Sequence, residues 1–123
     1  MPRDTRRAER VAEAIREEVA SYLTAGVKDP RVTGFVTVTG VDLTSDLRHA
    51  KVYVSILGDN INVDEVIDGL NAVGNRIKGE VGRALRLRLA PEIVFKRDES
   101  FARATRIESL LSQLKHDTPP RDD

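Results

Sequence analysis

The stretch Val63-Asp64-Glu65-Val66-Ile67-Asp68-Gly69-Leu70-Asn71-Ala72-Val73-Gly74-Asn75-Arg76-Ile77-Lys78-Gly79-Glu80-Val81-Gly82-Arg83-Ala84-Leu85-Arg86-Leu87-Arg88-Leu89 decides the fold. Val66, Ile67 and Leu70 recur at helical spacing, and so do Val73, Ile77, Val81, Ala84 and Leu85. Ala72-Val73-Gly74 lies between the two patterns, where a residue without a side chain lets two helix axes approach closely or bend against each other. The stretch therefore reads as helix, kink, helix. Charge reverses across the kink. Asp59, Asp64, Glu65 and Asp68 lead into and occupy the first half, whereas Arg76, Lys78, Arg83, Arg86, Arg88, Lys96 and Arg97 dominate the region from Arg76 to Arg97, against only Glu80 and Glu92.

Upstream, Ala8, Val11, Ala12, Ile15, Val19, Tyr22 and Leu23 predict an amphipathic helix over residues 5–25, with Gly26 as its C-cap. Lys28-Asp29-Pro30-Arg31 is loop. Phe35 to Leu43 is rich in Val and Thr, but its apolar positions change phase around Gly40, which predicts a strand with a bulge there. Thr44-Ser45-Asp46-Leu47 supplies turn formers, and Ala50, Val52, Val54 and Ile56 alternate with polar residues, so the two strands form a hairpin. Asn62 or Asp64 caps the central helices and Pro91 stops them; Ile93-Val94-Phe95 is a third strand. Asp98 caps a last helix at about residues 99–115 with a stripe of Ile107, Leu110, Leu111 and Leu114, and a polar tail runs over 116–123. The expected core is Val11, Ile15, Val19, Val52, Val54, Ile56, Ile67, Leu70, Ile77, Val81 and Phe95.

The 123 residues, 40% of them hydrophobic, suffice for one domain, taken as residues 1–115, with one core. Twenty Lys and Arg balance twenty Asp and Glu, so any nucleic-acid binding must rest on local charge. With no cysteine, a disulfide framework, a thiolate zinc site and a cysteine nucleophile are all excluded. The N-terminus runs directly into a charged amphipathic pattern without the apolar core of a signal peptide or membrane span, and a cytoplasmic address is expected.

Catalysis has little to work with: two histidines, and carboxylates scattered along helix faces, without triad spacing, Walker loop, dinucleotide fingerprint or metal-ligand cluster. A basic surface is the stronger signal. Arg76 and Arg83 are seven apart and share a helix face, with Arg86 beside them and Lys78 on another side, so they could reach successive phosphates. The competing reading is a solvated face in which Glu80 bridges the two arginines. The positive run from Arg83 to Lys96 favours the first. Arg48, His49 and Lys51 at the start of the second strand are further RNA-contact candidates, as is Arg88, although for His49 the sequence alone favours a plain turn residue. The cluster Arg3, Arg6, Arg7, Arg10 is interleaved with Glu9, Glu13, Glu17 and Glu18 and reads as a solvated, internally paired face. Gly79-Glu80-Val81-Gly82 has the letters of the loop with which K-homology domains clamp single strands. Val81 belongs to the apolar stripe, however, and Glu80 would sit where phosphate should lie, so both glycines are assigned to the helix.

The segments Lys28-Asp29-Pro30-Arg31, Gly34-Phe35-Val36-Thr37-Val38-Thr39, Asp46-Leu47-Arg48-His49-Ala50-Lys51-Val52-Tyr53-Val54-Ser55, Gly82-Arg83-Ala84-Leu85-Arg86-Leu87-Arg88, Pro91-Glu92-Ile93-Val94-Phe95 and Asp98-Glu99-Ser100 together resemble bacterial ribosome-binding factor A, in order, from about residue 5 to 115. The resemblance implies an α+β fold, a K-homology-like domain of the second type. Its elements run helix-strand-strand-helix-kink-helix-strand plus a C-terminal helix, with a three-stranded sheet and helices packed on one face. In that family an Ala-x-Gly kink replaces the Gly-x-x-Gly loop, and Ala72 and Gly74 stand in its place, a structural role. It also implies a cytoplasmic assembly factor that binds the free small (30S) ribosomal subunit and helps mature 16S rRNA, and a monomer is expected. No enzyme activity, cofactor, metal, membrane or small-molecule substrate is implied. The alternative is a protein-interaction module that docks on a ribosomal or assembly protein through the acidic helix or the terminal helix.

Overall fold

A computed structural model describes residues 2–99, with side chains from residue 6 onward. In chain order the elements are α1 (Pro2–Ala25), β1 (Phe35–Leu43), β2 (His49–Leu57), α2 (Val63–Ala72), α3 (Gly74–Ala84) and β3 (Glu92–Arg97). The last helix expected at about 99–115, apart from its first residue Glu99, and the tail over 116–123 lie outside the described residues.

The strands form one sheet in the order β1-β2-β3. β1 and β2 are the antiparallel hairpin that their short connection dictates, whereas β3 runs parallel to β2. A parallel neighbour requires a crossover, and α2 and α3 supply it, which lays both across the sheet. The phase change at Gly40 is the anticipated bulge: Val38 pairs with Val54 and Gly40 with Tyr53, leaving Thr39 as the extra residue. Val38 and Leu43 therefore face the same way, with Ala50, Val52, Val54, Ile93 and Phe95.

α1 packs on β1, α2 and α3 pack on β3, and α1 meets α3. Ile15 and Val19 of α1, Leu70 of α2, Ile77 of α3 and Val52 and Val54 of β2 are wholly buried, closed off by Val66, Val81 and Phe95. Each such side chain contributes about 1.5–3 kcal/mol on leaving water. Three of the expected core residues, Val11, Ile56 and Ile67, are only half-buried. In α2 the inward face runs through Val66, Gly69 and Leu70, so Val66 takes the place assigned to Ile67.

The kink is a single residue. Val73 leaves helical geometry at φ −98° and ψ 9°, while Val73 N–H donates to the Leu70 carbonyl and Ile77 N–H to the Val73 carbonyl. Gly74 then passes so close to β3 that an added Cβ would lie 3.3 Å from the Ile93 carbonyl oxygen. Asn71, one residue before Ala72, fixes the same strand: Phe95 N–H donates to Asn71 Oδ1 at 2.8 Å, and Asn71 Nδ2 donates to the Phe95 carbonyl at 3.3 Å. Gly79 and Gly82 sit inside α3, so Gly79-Glu80-Val81-Gly82 is helix and not a clamp loop. Behind α2 the loop over residues 28–32 is drawn in equally closely, with Val32 Cγ2 only 2.8 Å from where a Cβ on Gly69 would stand.

Candidate nucleic-acid interface

On α3 the residues turned from the core form an exposed stripe of Arg76, Glu80 and Arg83. Arg83 Nη2 donates to Glu80 Oε1 at 2.7 Å, in a pair whose side chains are 71% and 54% exposed, so solvent screening leaves it worth little and a phosphate could displace it. Arg76 has no ion-pair partner among the described residues. Glu80 therefore holds one arginine and does not bridge two.

Lys78 points elsewhere. Its ammonium donates to Glu92 Oε1 at 2.5 Å, tying α3 to the start of β3. That hydrogen bond, and after it the charge of Lys78, holds the Glu92 carboxyl below its usual range. Glu92 stands opposite His49 across the parallel ladder, and its N–H donates to the Arg48 carbonyl at 2.8 Å. The turn before His49 is braced by Asp46, whose Oδ1 accepts from the Thr44 hydroxyl at 2.6 Å and from Arg48 N–H at 3.0 Å. The Thr44 hydrogen bond first, then the Arg48 one, lowers the Asp46 pKa. Arg48, His49 and Lys51 all remain exposed.

The end of α3 corrects the expectation that Arg86 continues the helix face. The helix closes at Ala84 with Leu85 as its C-cap, and Arg86 turns into the left-handed region at φ 52°. Arg86 N–H reaches the Arg83 carbonyl and Leu87 N–H the Gly82 carbonyl, the paired bonds of a Schellman motif. Such a motif normally places glycine where Arg86 stands, because a Cβ is penalised there. Arg86 and Arg88 consequently lie on the connection to β3, and both are exposed. This connection folds back tightly, with Ala90 Cβ 3.0 Å from a Cβ built on Gly82.

The connection also meets α1. Arg7, Arg10, Val11 and Ala14 face Leu85 and Leu87 across an open groove of about 370 Å³. Arg7 and Arg10 are exposed, and neither pairs with a carboxylate among the described residues; the α1 pair is Arg16 with Glu13. The sequence pattern assigns the arginines of α1 to a solvated, internally paired face, and the glutamates between them obscure this placement. No local pattern could reveal it, because the opposite wall comes from a segment far along the chain.

The start of α1, the turn into β2, the end of α3 and the start of β3 thus share one end of the molecule. Arg7 and Arg10 meet the connection that carries Arg86 and Arg88, the Lys78–Glu92 pair ties α3 to the strand start beside Arg48 and His49, Arg83 stands in the last turn of α3, and Lys51 continues the outer sheet face. Arg76 lies one helical turn and more from that end, on the same stripe as Arg83. Ala72 and Gly74 are the kink itself and take no part in the basic surface. Among the described residues there is no group of three or more His, Cys, Asp or Glu placed to hold a metal ion, and no helix is long and apolar enough to cross a membrane.

Comparison with known proteins agrees with this architecture. The family model for ribosome-binding factor A matches residues 7–111. A ribosome-binding factor A of Gemmatimonas aurantiaca is 54% identical over 112 residues, which cover 91% of this chain and 77% of that one. The crystal structure of ribosome-binding factor A from Thermus thermophilus superposes with a TM-score of 0.62 at 22% identity, covering 73% of this chain and 94% of that one. A Thermus thermophilus ribosome-binding factor A fitted into the cryo-EM map of a 30S complex gives a TM-score of 0.57 at 23% identity, covering 70% and 89%.

Proposed function

This chain belongs to the ribosome-binding factor A family, and from that premise we propose that it binds the free small (30S) ribosomal subunit and assists maturation of 16S rRNA through its basic end. The observation that carries the reading is the meeting of arginines from α1 and the connection to β3, none of them in an ion pair among the described residues, in a protein with no net charge. Such a concentration of positive charge is the electrostatic footprint of a phosphate-binding surface, and it supplies affinity without needing a catalytic group. Acting in the cytoplasm as a monomer, the protein would need no cofactor. Arg76 and Arg83 provide phosphate contacts along α3, and Arg48, His49 and Lys51 extend the surface past the Lys78–Glu92 pair.

The test is co-sedimentation with small subunits over a range of salt. Arg76→Gln, Arg83→Gln and Arg86→Gln together should flatten the dependence of log affinity on log salt by roughly 2–3, at about 0.7–0.9 per lost phosphate contact. The fold should stay intact, because exposed charges contribute little to stability. Asp59→Asn with Asp68→Asn, on the acidic side, should leave the slope unchanged. A triple variant that co-sediments like the parent at every salt concentration would remove these three arginines, on α3 and on the connection after it, from the interface.

A further inference from the structure

We propose that the groove between the first turns of α1 and the connection from α3 to β3 is a binding site for an unpaired RNA nucleotide, its base laid on the apolar floor and its flanking phosphates held by arginines. The inference rests on the reading that this chain binds the small subunit, and it assigns the site to residues that lie outside the α3 stripe.

Three observations carry it. Val11, Ala14, Leu85 and Leu87 give the groove an apolar floor, and Arg7 and Arg10 line its α1 side, while Arg86 and Arg88 follow the two leucines in the chain and are exposed just outside it. None of these four arginines is held in an ion pair among the described residues. An apolar platform rimmed by unpaired arginines is the arrangement that receives a splayed base and its backbone, and the arginine planes can themselves stack on bases. The volume of about 370 Å³ is at the small end of ligand-sized sites, which suits one base.

The third observation is the backbone of Arg86. At φ 52° an arginine is strained where glycine would not be, and strain held by the surrounding structure points to a role for the side chain that stability does not supply. A helix stop needs no charge at this position.

The experiment uses the full chain with purified small subunits. Arg86→Gly should leave the thermal midpoint unchanged or raised, yet weaken subunit binding by roughly fivefold to eightfold at 0.1 M salt, the counterion-release effect of one phosphate contact. Arg86→Lys should restore most of that loss. Arg7→Gln with Arg10→Gln should cost roughly 25-fold or more for two contacts on the same scale. In parallel, Ala14→p-benzoylphenylalanine places a photocrosslinker on the groove floor. A crosslink to an unpaired nucleotide of the rRNA is the expected result. A crosslink only to a ribosomal protein, or none from a variant that still co-sediments, would overturn the groove, and so would arginine variants that bind as tightly as the parent. Failure of the unsubstituted chain to co-sediment would instead overturn the reading on which the groove rests.

Discussion

α2 and α3 are adjacent helices of 10 and 11 residues that pack on the same strand, yet they are stabilised in opposite ways. α2 obeys local rules at its start, although it too carries an interior glycine, Gly69. Asn62 caps it by accepting from Glu65 N–H at 3.2 Å, and Asp64 and Glu65 place negative charge in the first turn, where the helix dipole favours it. α3 has neither device: Val73 offers no side-chain cap, the first turn carries no acid, and Gly74, Gly79 and Gly82 each lower its intrinsic helix propensity. It ends, moreover, on a strained arginine. α3 is therefore helical because Ile77 and Val81 are buried, and its remaining positions are left to serve the surface.

The sharpest way to break this comparison is in the core. Leu70→Ala and Ile77→Ala remove side chains with no exposure, and each should cost about 2–5 kcal/mol by urea denaturation. Hydrogen exchange should separate them, with α3 amides losing protection in Ile77→Ala more completely than α2 amides do in Leu70→Ala. Equal loss in both would mean that α3 has a local stability not visible in its caps. A smaller effect is expected from Asn62→Ala, about 1 kcal/mol, with reduced protection confined to the start of α2. Spread of that loss into α3 would make the kink rigid and the two helices one cooperative unit.

The smallest effect sharpens the comparison through pH. Asp29 sits in the loop that seals α2, and hydrogen bonds from the Arg31 side chain and then from Arg31 N–H lower its pKa to about 2. Because the folded value lies below the unfolded one of about 3.9, the stability it lends is fully present above that value and fades as pH falls toward 2. Asp29→Asn should therefore flatten the pH dependence of the thermal midpoint in that window, with the region above about pH 5 keeping the parent's slope. An identical acid limb in both proteins would remove Asp29 as its cause.

The sequence makes some of this legible and hides the rest for physical reasons. Period-two alternation from Ala50 to Ile56 and the phase break at Gly40 are local signals, and the hairpin and its bulge follow from them. So does the kink, because Gly74 interrupts two periodic runs. The stop of α3 at Ala84 is not legible, since Leu85-Arg86-Leu87-Arg88 contains only residues compatible with a helix and lacks the glycine that marks most left-handed caps. Ile67 and Val66 are indistinguishable by spacing, and only the angle at which α2 meets β3 chooses between them. Charge alone marks Lys78 and Arg83 for RNA contact; their pairing with Glu92 and Glu80 depends on how α3 sits beside β3 and on rotamers that no spacing specifies. The groove beside Arg7 and Arg10 joins residues distant in sequence, which is beyond any local pattern.

The clamp of Asn71 on Phe95 bears on how the protein behaves in a crowd. β3 borders the sheet, and a bordering strand with open backbone groups is a template on which another chain can add a strand. At Phe95 both outward groups are already occupied by a side-chain amide, so recruitment would have to evict it. The opposite border, β1, is interrupted by its bulge at Thr39. For a chain with a formal net charge of zero, whose copies repel one another weakly, these two interruptions are a built-in guard against edge-to-edge polymerisation.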